Sequence, residues 1–292
     1  MAWTPFTQHS FLGWTLRGQE RVVELLDAVV ALRPHLCCDT RVHLRWELYN
    51  LSAEEEIATW LASGRIDLLA FNDHLASILE RIGDRSKLNR YLQRTGMRAN
   101  EFKILVRGLG ARGDEVPAAI DRLAAVAREN GVVMASHDDE TPDMRRRYSA
   151  IGCTLCEFPV DIATADTSVE LGDSVILGAP NVVRDGSHCG RLHAATSVAE
   201  DRCNILTSDY FYPSLLKAVF ILVESGNADL PAAWRLVSSA PARAAGLTDR
   251  GDIVEGKRAD IVVVDDSNPT LPRATGTFVA GRPAYVTRLG RA

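Results

Sequence analysis

Apolar positions along this chain follow two rhythms. In QERVVELLDAVVALR, residues 19–33, they recur every three to four positions, which predicts an amphipathic helix. The same period predicts helices over 117–131 (PAAIDRLAAVARENG, with Pro near its start and Gly as its stop), over about 189–200, and over 213–225 (PSLLKAVFILVES). Ser52 and Glu55 have the spacing of a capping box, predicting a helix that runs to about Ala62. The second rhythm is shorter. RVHLRWEL (41–48) alternates as a strand does, and RIDLLAFND (65–73), GVVMASH (131–137), GCTLCEF (152–158), DSVILGAP (173–180) and CNILTSD (203–209) are brief apolar runs that read as buried strands.

Strands that alternate with helices imply parallel pairing and an α/β architecture. Six of these strands end near a polar residue: Glu47, Asp73, His137, Glu157, Asn181 and Asp209. The carboxyl ends of parallel strands are where α/β folds hold ligands, so the succession predicts one barrel face equipped for chemistry. The tail differs. GDIVEGKRADIVVVDDSNPTLPRATGTFVAGRPAYVT is rich in Val, Gly and turn residues and predicts short strands and hairpins. The expected division is a barrel over 1–245 and a small β-domain over 246–292, with no repeat of 20 to 50 residues.

Composition narrows the class. The chain has 292 residues, 46% hydrophobic, enough for one large domain or one large and one small. A net charge of -5 argues against a general nucleic-acid surface. No run of about 18 apolar residues is present, so no membrane span is expected. The start, MAWTPFTQHSFLGW, lacks the basic and apolar parts of a signal peptide, which points to the cytoplasm. Cysteines stand at 37, 38, 153, 156, 189 and 203. Cys153-x-x-Cys156 has redox or zinc spacing but no second such pair, and reduced structural thiols are the expectation.

Several residues carry candidate chemistry. His137, in ASHDDE, ends a very apolar strand, where a neutral imidazole can bind zinc or a similar metal; a hydrogen-bonded turn histidine is the plainer alternative. Asp138 and Asp139 can orient it or bind substrate. Asp209, in LTSDY, can accept a proton from an activated water, or simply cap the helix after it. Glu47 and Glu157 can bind metal or pair with a rim arginine; His43, Arg45 and Glu47 share one face of a strand. Asp73-His74 is a ligand pair or a strand-ending turn. LGAPNVVRDGSHCG, 177–190, is the densest stretch: Asn181, Arg184, Ser187 and His188 suit an anionic, oxygen-rich substrate, Arg184 through its planar fork and Ser187 as cap of the next helix. The alternative is an ordinary well-capped loop. Gly108-Leu-Gly110 lacks dinucleotide spacing, and neither GxxxxGK[ST] nor GxSxG occurs.

HLRWE, FNDH, ASHDDET, EFP, GAPNVVRDGSHCG, LTSDYFYPSLL and PARAAGLTDRGDIVEGKRADIVVVD, taken in order, resemble successive blocks of the PhnM family of the amidohydrolase superfamily, from about residue 17 to 285. The last block is shared across the wider superfamily. The resemblance implies a distorted TIM (β/α)8 barrel with a small C-terminal β-sandwich portion. It implies a divalent metal, zinc or manganese, and hydrolysis of α-D-ribose 1-methylphosphonate 5-triphosphate to the 5-phosphate and diphosphate, a step of phosphonate degradation by carbon–phosphorus lyase. On this resemblance His137 and Asp209 match the ligand histidine and the strand-eight aspartate and act in catalysis. Glu47 and Glu157 become further ligands. Asn181, Arg184, Ser187, His188, Arg45 and Asp138 become substrate-binding residues.

Two positions depart from the family: Asp185 stands where it usually has Gly, and Arg191 where it usually has Asn. The histidine-rich metal block of the first strand has no counterpart either, since His9 has no second ligand beside it. The expectation is an N-terminally truncated barrel. Three functions follow as alternatives: a hydrolase of a small phosphorylated sugar, another amidohydrolase cleaving a C–N bond, or a non-catalytic remnant that binds a ligand or partner. A sheet edge left by missing strands is expected to favour a homo-oligomer.

Overall fold

The computed structural model describes residues 2–4, 8–9, 19–187 and 190–287. The chain divides into two compact units, Met1–His137 and Asp138–Ala292.

In the first unit, strands β1 (Ala2–Thr4), β2 (Gln8–His9), β3 (Thr40–Glu47), β4 (Leu68–Asn72) and β5 (Val133–His137) are parallel; β1 and β2 both pair with β3, and β3-β4-β5 run side by side. Helix Glu54–Ala62 connects β3 to β4. Four helices, Leu75–Arg81, Arg85–Thr95, Ala99–Gly110 and Val116–Glu129, connect β4 to β5. Both faces of β3 and β4 are covered: Leu44, Trp46, Leu69 and Phe71 are fully buried, and Trp46 meets Phe71 edge-on at 6.0 Å. That is the burial expected of a parallel sheet sheathed by helices. The capping box expected at Ser52 does not form. Leu51–Ala53 is a 3-10 turn, and the Ser52 hydroxyl donates to Asn50 Oδ1 at 2.9 Å. Glu54, Glu55 and Glu56 in the first turn favour the helix start instead.

The second unit repeats the construction. Helix Pro142–Ala150 precedes β6 (Cys153–Glu157); helix Ile162–Glu170 leads to β7 (Ser174–Gly178); Ala179–Val183 and Ala194–Ala199 lead to β8 (Ile205–Thr207). These strands are parallel in the order β6-β7-β8. Val175, Leu177 and Leu206 pack with Ala218, Val219 and Leu222 of helix Ser214–Glu224 to form the core. The tail forms an antiparallel sheet of β9 (Ile261–Asp265), β10 (Arg273–Val279) and β11 (Arg282–Val286), in the order β11-β10-β9. Gly251 is required where the tail meets helix Ser239–Ala244. Its φ is +101°, and a Cβ there would stand 2.9 Å from Ala242 Cβ and Ser239 Cα. No helix among the described residues is long and apolar enough to cross a membrane.

Candidate functional site

Strand register builds the polar end of the first unit. Glu47 pairs with Asn72, and Asn72 with His137, so the last residues of β3, β4 and β5 lie in one row. All three are buried. Glu47 Oε1 accepts from Asn72 Nδ2 at 2.6 Å and pairs with His74 Nδ1 at 2.7 Å. The His74 and His137 rings meet edge-on, 6.4 Å between centroids. Asp73 turns the other way: its Oδ1 accepts from the backbone N–H groups of Leu75 and Ala76 and caps helix Leu75–Arg81. Burial pushes the Asp73 carboxyl above the usual carboxylate range, those two hydrogen bonds oppose the rise, and Glu47 adds to it. The expected pair Asp73-His74 is therefore split between a helix cap and a partner for Glu47. Arg45 is half-buried on β3.

In the second unit, three strand ends carry backbone in the left-handed region at non-glycine residues: Asp138 after β5, Phe158 after β6 and Asp209 after β8, with φ of 60°, 58° and 48°. Such conformations cost energy and concentrate at functional positions. Asp138 is pinned by its N–H, which donates to Glu157 O at 2.8 Å. Asp139, fully buried, faces Arg145 at 3.2 Å and serves the interior rather than a substrate. Glu157 is buried at the end of β6. Asp209 is half-buried and does not cap the following helix, which begins at Ser214 behind Pro213. Its alternative role as an N-cap falls away.

The loop after β7 is organised by its own polar groups. Asn181 clasps it: Nδ2 donates to Leu192 O at 2.9 Å and Oδ1 accepts from Ala194 N at 3.0 Å. Ser187 Oγ accepts from Arg191 N at 3.2 Å. Helix Ala194–Ala199 starts later than expected, and its cap is His193, whose Nδ1 accepts from Thr196 N, so Ser187 is not the cap. Arg184, exposed, hydrogen-bonds the Tyr210 hydroxyl and lies over that ring, 5.9 Å from its centroid. Arg191 pairs with Asp138, and His193 with Asp185 at 3.1 Å. His188 lies outside the described residues. Tyr210 and Asn72 are the site residues that the sequence pattern does not expose. Tyr210 follows Asp209 directly, which was the available signal.

Cys37, Cys38, Cys153, Cys156 and Cys203 are free; burial pushes the thiols of Cys156 and Cys203 up to about 12 and that of Cys153 higher still. Among the described residues, no three His, Cys, Asp or Glu side chains are grouped to hold a metal ion. Glu47 Oε1, the natural first donor, is already engaged by Asn72 and His74. Among the described residues, neither unit by itself assembles the metal centre that the resemblance implies.

Comparison with known proteins decides the ancestry. The chain is 33% identical over 237 residues, 79% of its length, to α-D-ribose 1-methylphosphonate 5-triphosphate diphosphatase (PhnM) of Escherichia coli (strain K12). Over that span the chain is similar to PhnM. Residues 221–285 match the model of the amidohydrolase family. The adenine deaminase of Gluconobacter oxydans (strain 621H) is 30% identical over 167 residues, 51% of this chain and 27% of that protein. Among solved structures, N-acetylglucosamine-6-phosphate deacetylase from Pasteurella multocida aligns over 91% of this chain and 73% of its own at 12% identity, with a TM-score of 0.55, a likeness of fold. The amidohydrolase α/β construction expected from the sequence is the one observed. The chain spans 60% of the length of the E. coli diphosphatase.

Proposed function

We propose that this chain is a hydrolase of phosphorylated sugars, acting on α-D-ribose 1-methylphosphonate 5-triphosphate or a close relative and releasing diphosphate. One observation carries the reading: the 33% identity to the E. coli diphosphatase runs through 79% of this chain. The loop after β7 gives it a chemical basis. Arg184 offers a planar fork for phosphate oxygens, braced by Tyr210, and Ser187 adds a hydroxyl. Asn181 keeps the loop closed on itself. Asp209 stands free of any helix cap and takes the proton of the attacking water. The water oxygen then bonds to phosphorus as the bond to the departing diphosphate breaks. His137 and Glu47 hold polar strand ends of the first unit, with Arg45 on the same strand as Glu47, and Glu157 holds one of the second. A zinc or manganese requirement belongs to the superfamily reading, and the cytoplasm is the compartment in which free thiols and a phosphorylated sugar coexist.

The test is diphosphate release from the 5-triphosphate, with and without added zinc or manganese. Arg184→Ala is expected to lower kcat/KM by at least about tenfold, since a charge-assisted hydrogen bond is worth about 1.5–3 kcal/mol. A wild-type chain that releases no diphosphate overturns the reading. Ammonia release from adenine would favour the C–N hydrolase alternative, for which the adenine deaminase relative is the support.

A further inference from the structure

Arg191 and Asp138 form an ion pair between the loop after β7 and the strand-end turn that follows His137. The two partners are held very differently. Asp138 is fixed: its N–H is bonded to Glu157 O, its φ is 60°, and the next residue, Asp139, is tied into the interior by Arg145. Arg191 extends from an irregular stretch that carries Arg184, Ser187 and His193, its own N–H resting on the Ser187 hydroxyl. Both side chains keep solvent access, 38% for Arg191 and 20% for Asp138. A carboxylate thus occupies the guanidinium of a residue whose backbone N–H is bonded to the serine assigned to phosphate.

We propose that Asp138 is an internal stand-in for a substrate phosphate on Arg191, and that this self-occupancy sets the charge a ligand must carry to bind. The inference rests on the phosphate-loop reading above. A guanidinium engaged by a singly charged carboxylate is released only to an anion that offers more charge and more acceptor oxygens at the same place. An oligophosphate meets that condition and orthophosphate meets it poorly. Arg191 and Asp138 together are then a specificity device: the arginine adds affinity, and the aspartate subtracts it most from weakly charged competitors. His193 does not share the task, because Asp185 pairs with it.

The experiment is calorimetric titration of the full chain with two probes, inorganic tripolyphosphate and orthophosphate, for wild type, Asp138→Asn, Arg191→Ala and the double variant. Asparagine tolerates the left-handed backbone at 138, so Asp138→Asn removes charge without removing the turn. Melting temperatures check folding. Asp138→Asn is expected to raise orthophosphate affinity about tenfold and tripolyphosphate affinity less, narrowing the ratio between them. Arg191→Ala is expected to weaken tripolyphosphate about tenfold and to erase the effect of Asp138→Asn in the double variant. A merely structural ion pair would lower stability without moving the ratio, and that result overturns the proposal. Arg184→Ala separates the two readings. If it abolishes tripolyphosphate binding while Arg191→Ala and Asp138→Asn change nothing, the phosphate loop stands and the stand-in does not. If neither probe binds wild type or Asp138→Asn, the phosphate loop itself is wrong.

Discussion

A carboxylate that caps a helix from a half-buried position is pulled two ways. At Asp73 the backbone N–H groups of Leu75 and Ala76 favour the ion, but burial and the nearby Glu47 oppose it more strongly, and the net effect is a raised pKa. The folded state therefore holds the Asp73 proton to higher pH than the unfolded chain does. Stability from this residue is full below the ordinary aspartate pKa, about 3.9, and is lost as pH rises through the raised folded value. Asparagine caps about as well and does not titrate. Asp73→Asn is thus expected to gain on wild type as pH rises across the acid range and to hold a constant advantage above it. Urea denaturation at a series of pH values reads this directly, and a difference that is flat or falls with pH would refute it. The Tyr49 hydroxyl, also pushed up by burial and by Asp73, should titrate closer to its usual range in the same variant.

Between elements, Arg145 is a buried link. It lies on helix Pro142–Ala150 with no solvent exposure and reaches Asp139 at 3.2 Å, Asp173 at 3.3 Å, and the carbonyls of Cys153 and Leu155 at the start of β6. One guanidinium ties the helix, the strand and both flanking turns together. Removing one partner of such a group strands the others without water, at a cost of about 3–5 kcal/mol, whereas removing all of them together costs far less. Arg145→Met is expected to lower the denaturation free energy by that amount, and the Arg145→Met, Asp139→Asn, Asp173→Asn combination to recover most of it. Nothing in the local pattern announces Arg145, because RRR at 145–147 reads as a solvated helix face. The strands were legible because each is a short, nearly unbroken apolar run. The segment 75–110 was not, since polar residues such as Asp84, Arg85 and Asn100 break its rhythm, although Leu75, Ile78, Phe102 and Val106 form a buried cluster there. The placement of Glu47, His137, Glu157 and Asp209 at or just beyond strand ends was legible. The row Glu47–Asn72–His137 depends on register, and the pair Asp138–Arg191 joins residues 53 apart, so neither has a local signature.

Among the described residues, metal-capable side chains stand at the strand ends of both units. Glu47, His74 and His137 stand at strand ends of the first unit, Glu157 and Asp209 at those of the second, and among the described residues no three form a donor set. One oxygen of Glu47, Oε1, accepts from Asn72 and pairs with His74, a hydrogen-bonded network at the strand ends. A resting metal centre would be coupled to folding: at a free concentration of 100 Kd, a metal that binds only the native state adds about 2.7 kcal/mol. For a chain of this size that corresponds to a rise of roughly 5 °C in melting temperature. The fold seen here instead predicts a melting temperature that changes by less than about 1 °C when chelator-treated protein receives excess zinc or manganese. Thermal denaturation with and without metal, repeated on His74→Gln, distinguishes the cases. A rise of several degrees that disappears in His74→Gln would mean that Glu47 and His74 exchange their hydrogen bond for an ion. An unchanged melting temperature in wild type, with a loss of stability in His74→Gln, would mean that the Glu47–Asn72–His74 network has taken over the structural part of the job that a metal performs in metal-centred folds.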